Sequence, residues 1–132
     1  GSQPELGVDP ITVAAHMVLA LQEINAREIS MYDTAALTLG TLQAGTVNNI
    51  IPDTAVIKGS LRTVDEELRA NVKTRIQEIA TGVANPKAHG QEITNTLIAM
   101  DNENEKDCPA IIQATKLISE MIITVGTKIP EI

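Results

Sequence analysis

Two histidines, one cysteine and a spread of carboxylates are the groups in this sequence equipped to ligate a metal or to attack a carbonyl. Metal sites gather three or four such ligands, and on a helix they announce themselves by spacings such as i, i+4. His16 falls on a predicted helix and His89 in a predicted loop, and neither has a carboxylate or second histidine at ligand spacing. His16 therefore reads as a helix-surface or packing residue and His89 as an exposed one. Cys108 stands beside Pro109 without a neighbouring histidine to take its proton, so it reads as a helix-cap residue rather than a nucleophile. No catalytic residue, no metal ligand and no cofactor are expected within this chain.

The elements that would position any site have to fit one core, because 132 residues amount to about one domain. The chain is 43% hydrophobic with a mean hydropathy of +0.05, so a packed core is expected. It must be aliphatic, since Tyr32 is the single aromatic residue. A net charge of -7 and a pI near 4.7 argue against nucleic-acid binding, which needs clustered Lys and Arg to displace counterions. No apolar run reaches the roughly 20 residues of a membrane helix, so no membrane association is expected. The lone cysteine points to a reducing, cytoplasmic setting.

Asp9-Pro10 predicts a helix start, with Asp as N-cap and Pro in the first turn. Ile11, Ala14, Ala15, Val18, Leu21 and Ile24 then form its expected buried stripe, fading near Arg27. Residues 30–34 read as a loop. From Ala36 the period changes to two and predicts a strand ending near Gly45. A second strand runs from Thr54, with Ala55, Ile57, Gly59 and Leu61 on its inner face. Between them, Gly45 to Pro52 is too long for a tight turn, and Pro52 cannot donate to a sheet ladder. Thr63-Val-Asp-Glu66 fits a capping box opening a second helix, with Leu68, Val72, Ile76, Ile79 and Val83 inward and Asn85-Pro86 as its end. Ile93–Met100 reads as a third strand, Asp101–Asp107 as a solvated connection, and Pro109–Val125 as a C-terminal helix closed by Gly126. That last helix is apolar on more sides than one stripe requires, which suggests packing against further protein.

The order helix, strand, strand, helix, strand predicts an α+β, ferredoxin-like two-layer sandwich. Its antiparallel sheet carries both helices on one face, its first strand is missing ahead of Asp9, and an extra C-terminal helix follows. Four segments carry a family likeness: Pro4-Glu-Leu-Gly-Val-Asp-Pro-Ile11, Leu21-Gln-Glu-Ile-Asn-Ala-Arg-Glu28, Gly45-Thr-Val-Asn-Asn-Ile-Ile-Pro-Asp53 and Gly59-Ser-Leu-Arg-Thr63. In joint order and spacing they resemble the lid domain of the carboxypeptidase, aminoacylase and amidohydrolase superfamily of dinuclear metallopeptidases. The likeness is greatest to the branch of N-acyl-amino-acid and auxin-conjugate hydrolases. It runs from Gly1 to about Val83 and thins from His89. Asp107-Cys-Pro-Ala-Ile111 is similar to the point where such enzymes return to their catalytic domain.

The resemblance implies residues 1–106 as lid and dimerisation domain and 107–132 as the start of that return. It implies a parent whose separate catalytic domain, absent here, binds two divalent metal ions (zinc, nickel, cobalt or manganese) and cleaves a small amide or peptide substrate by metal-activated water. It implies a homodimer joined through the first helix and an edge strand. Substrate-binding roles come over to Asn49, whose amide would orient a carbonyl oxygen, and Arg62, whose guanidinium would clamp a carboxylate. The family's lid histidine belongs just ahead of Gly1. Asn49 equally suits a turn that bonds its own backbone, and Arg62 equally suits a solvated strand position or a pair with Asp65 or Glu66. A free-standing ferredoxin-like binding module is the alternative function, because this fold serves many roles.

Overall fold

The computed structural model describes residues 2–3, 7, 9–84, 95–104 and 117–126. Helix α1 (Pro10–Glu23) opens where the sequence places it. Asp9 accepts from the backbone N–H of Ile11 at 3.0 Å and of Thr12 at 3.4 Å, and Pro10 sits in the first turn. The buried stripe is rotated from the expected one. Pro10, Val13, Ala14, Met17 and Leu21 point inward, whereas Ile11 is 43% exposed and Ala15 lies in water. Met17, unbranched and adaptable, fills the position that a reading based on Ile and Val passes over.

The helix does not stop at Glu23 but widens into one π-helical turn, Ile24–Glu28, closed by Ile29 N–H to Ile24 O at 3.1 Å. Ile24 stays buried through the widened turn. Strand β1 (Ala35–Ala44) then pairs antiparallel with β2 (Thr54–Thr63), with a bulge between Leu39 and Thr41. Ala55, Ile57, Leu61 and Thr63 of β2 point into the core, and Val56, Lys58, Ser60 and Arg62 alternate with them on the other face.

Helix α2 (Glu66–Val83) is capped by Asp65, whose carboxylate accepts Leu68 N–H at 2.7 Å, and not by Thr63. The Thr63 hydroxyl is used otherwise: it donates to Asp65 O at 2.7 Å and accepts from Asp65 N–H at 2.9 Å, tying strand end to helix start. Glu66, freed from the expected capping box, pairs with Arg69. Val72, Ile76 and Ala80 face the core, with Leu68, Ile79 and Val83 at its margin. The helix ends at Val83 with its carbonyls closed through Ala84; Asn85-Pro86 lies outside the described residues.

Strand β3 occupies Asn95–Asn104, so the polar residues 101–104 belong to a strand and not to a solvated connection. Ile93 and residues 105–107 lie outside the described residues. The larger departure is β4, Leu117–Gly126, which overturns the expected C-terminal helix over that stretch; residues 109–116 are outside the description. A run apolar on both faces suits a strand in the middle of a sheet as well as a buried helix, and Ile122, Ile123, Thr124 and Val125 are β-branched. Sheet order is β1-β2-β4-β3, all neighbours antiparallel.

This order completes the expected sandwich from the other end. A strand entering α1 and crossing over to a parallel β1 would sit beside β2, on the side away from β1. That seat is taken by β4, which runs antiparallel to β2 and therefore parallel to β1. Met121 and Ile123 of β4 are fully buried with Ile57, Leu61, Met17, Leu21 and Ile76 between sheet and helices. The α+β antiparallel sheet with two helices on one face stands as expected.

Candidate functional site

The loop between β1 and β2 is closed by its own chemistry. Gly45 adopts φ +71, the left-handed region where a side chain is strained, and faces the ring of Pro52 across the loop's neck. Ala44 and Ala55 are paired in register just below, so residues 45–53 project as one protrusion. Val47, Asn48, Asn49, Ile50, Ile51 and Pro52 line a cleft of about 300 Å³ together with Asp9 and Ile11 at the start of α1. Asn49 sits exposed at the turn of this loop. The Asp9 carboxylate is already engaged: besides the two amides of α1 it accepts the Thr12 hydroxyl at 2.7 Å. What the cleft offers a ligand is the Asn amides and an apolar rim, with Ile50 64% and Val47 51% exposed.

Arg62 lies near the other end of β2, exposed on the face turned away from the helices, with Lys58 on the same face. Neither carboxylate that sequence offers it is taken up in that way, since Asp65 caps α2 and Glu66 holds Arg69. Arg69 keeps the Glu66 carboxyl below its ordinary pKa through their hydrogen bond. Arg75 is raised by its bonds to Glu28, two at 2.8 Å, and to Glu78 at 3.0 Å, which join α2 to the π-helical turn. These pairs belong to the helical layer and leave Arg62 to the sheet's open face.

The two candidate residues are not brought together. From Thr54 to Arg62 the strand rises eight residues at about 3.3 Å each, roughly 26 Å, and Asn49 lies beyond Thr54 in the loop. One small ligand cannot touch both within a single copy. His16 is exposed on α1; His89 and Cys108 lie outside the described residues. Among the described residues no three His, Cys, Asp or Glu side chains gather as a metal site, and no helix is long and apolar enough to cross a membrane.

Two features escape sequence reading. Gly59 is obligatory: a Cβ there would stand 2.4 Å from Thr38 O, because the bulge draws β1 against it. Asn25, on the π-helical turn, donates from Nδ2 to Leu37 O at 2.7 Å and accepts from Leu37 N–H at 3.1 Å. The widened turn that aims Asn25 at β1 leaves no simple spacing signal.

With this geometry in place, comparison with known proteins is informative. The family model described as the peptidase dimerisation domain matches residues 1–88. An uncharacterised hydrolase of Sinorhizobium fredii is 42% identical over 84 residues, 64% of this chain and 21% of the relative. Hippurate hydrolase of Campylobacter jejuni is 36% identical over 110 residues, 81% of this chain and 29% of the relative. N-acetyl-L-cysteine deacetylase of Bacillus subtilis is 44% identical over 72 residues, 54% of this chain and 17% of that protein. The chain thus spans between a sixth and a third of the length of these relatives. No solved structure matches it significantly.

Proposed function

The chain belongs to the peptidase dimerisation domain family, and from that premise we propose that it is the lid and dimerisation domain of a metal-dependent amidohydrolase. The substrate class is N-acyl amino acids or small peptides, cleaved at an amide bond. Residues 1–106 belong to the lid, and the stretch 107–132, which leads back towards a catalytic domain carrying two divalent metal ions, zinc, nickel, cobalt or manganese, first gives the lid's sheet its strand β4. The observation that carries this reading is the family match over 1–88, joined to relatives named as a hippurate hydrolase and an N-acetyl-L-cysteine deacetylase. The described residues offer no ligand set for the ions, so the metal chemistry is assigned to the catalytic domain and no step of it is derived from this chain. A cytoplasmic setting fits the single cysteine.

The lid's own contribution is recognition. Arg62 clamps a substrate carboxylate by charge-assisted hydrogen bonds, and Asn49 presents its amide to a carbonyl oxygen. Both contribute to substrate binding across a homodimer formed through α1 and the edge strand β1, since Asn49 lies ahead of β2 and Arg62 roughly 26 Å beyond its start, too far for one copy to bring both to a small substrate. In the full-length parent, Arg62→Ala and Asn49→Ala should each lower kcat/KM for an N-acyl amino acid by about 10- to 100-fold, the worth of one charged or oriented hydrogen bond. Unchanged kinetics in both variants would remove the substrate-binding assignment.

The closure of the sheet by β4 favours a second reading, a self-standing small binding module. The size of the native gene product decides between them. A band far above 14.1 kDa supports the multidomain hydrolase, and a band at that mass supports the module.

A further inference from the structure

A free sheet edge pairs with whatever strand reaches it, so a protein that dimerises through an edge needs a device that sets where pairing begins. On β1 that device is visible. Asn25 reaches from the π-helical turn and occupies both the amide and the carbonyl of Leu37, as a neighbouring strand would. Leu37 stands opposite Leu61 and turns those groups away from β2. The pairs Leu39↔Gly59, Leu42↔Ile57 and Ala44↔Ala55 hold the same phase, because residues 61, 59, 57 and 55 alternate regularly on β2. The outward hydrogen-bonding groups beyond Leu37 are therefore those of Leu39, Leu42 and Ala44.

Resting on the self-association proposed above, we propose that Asn25 is an edge stop. It denies the N-terminal half of β1 to a second strand and confines pairing to Leu39–Ala44. The occupant is the same stretch of a second copy. An antiparallel ladder between two such stretches is symmetric about a two-fold axis, and the proposal sets that axis at Leu42, the middle one of the three residues with outward groups, beside its own counterpart. Leu42 suits the position: it is 46% exposed, whereas Leu37 under the stop is 4% exposed.

Cross-linking of the 132-residue chain tests this, with Cys108→Ser removing the native thiol. A hydrogen-bonded antiparallel pair holds Cα atoms about 5.5 Å apart, inside the range of a disulfide. Under mild oxidation Leu42→Cys should run mostly as a covalent dimer, and Ala36→Cys, at the stopped end, should stay monomeric. Adding Asn25→Ala should raise the Ala36→Cys product several-fold by releasing the register. A dimer in sedimentation that links equally well at 36 and 42 with Asn25 intact, or links only at 36, overturns the edge stop while leaving self-association standing. A monomer at every concentration overturns the self-association itself and the edge stop with it.

Discussion

β1 and β2 are both ten-residue strands, paired to each other along almost their whole length, yet they live in different surroundings. β2 has neighbours on both sides, and its inner face is buried at Ala55, Ile57, Leu61 and Thr63. Among the described residues β1 has one, and from Gly40 to Ala44 every residue is exposed. The same alternation of residue types therefore predicts burial only where a second neighbour and a helix lie over it. The glycines sharpen the contrast: Gly59 of β2 is jammed against Thr38 O, whereas Gly40 of β1 faces open space.

The largest effect should come from filling that contact. Gly59→Val is expected to cost roughly 3 kcal/mol or more by overpacking, while Gly40→Ala should shift stability by no more than about 0.5 kcal/mol; denaturant unfolding of both reads the difference. Next, Ile57→Ala empties a fully buried position and should cost about 2–5 kcal/mol. Its register partner Leu42 should lose less than about 1 kcal/mol on the same change in the monomer. Comparable losses at both would mean that β1 is covered as β2 is. Arg62→Ala, on the open face, should leave the unfolding free energy within about 0.5 kcal/mol of the parent, which separates a binding role from a structural one.

The smallest effect lies in the helical layer. Glu66 is depressed below its ordinary pKa by Arg69, so its contribution is present above the unfolded value and is lost as pH falls through the carboxylate range. Because the Glu66 carboxylate is solvated, Glu66→Gln should narrow only slightly the gap between thermal midpoints at neutral pH and about pH 3. A variant with the wild-type pH dependence would count against the pair.

Much of this was legible in the sequence for a physical reason. Asp9-Pro10 and the alternation from Thr54 are local signals, and local signals survive without the rest of the fold. Thr63 misled because a hydroxyl next to Asp65 has two uses, and the aspartate is the better cap. Leu117–Gly126 misled because length and hydrophobicity alone do not separate a buried helix from a central strand. At the candidate site, Asn49 and Arg62 were marked by likeness alone. Their separation depends on how far β2 runs straight between them, which no motif records. Asn25 was invisible because its role rests on a π-helical turn that shifts every later side chain by one place.

The seat of β4 also bears on how the chain reaches its fold. Thr63 pairs with Leu117 and Thr54 with Gly126, 54 and 72 positions apart, so the middle of the sheet joins residues distant in sequence, and closing so long a loop must be met before any of that pairing is gained. α1, β1, β2 and α2 can associate early through contacts close in sequence. Until β4 arrives, however, β2 presents a bare edge and β3 has no strand to join, a state open to intermolecular pairing. Refolding should therefore slow at its final step and lose yield as protein concentration rises.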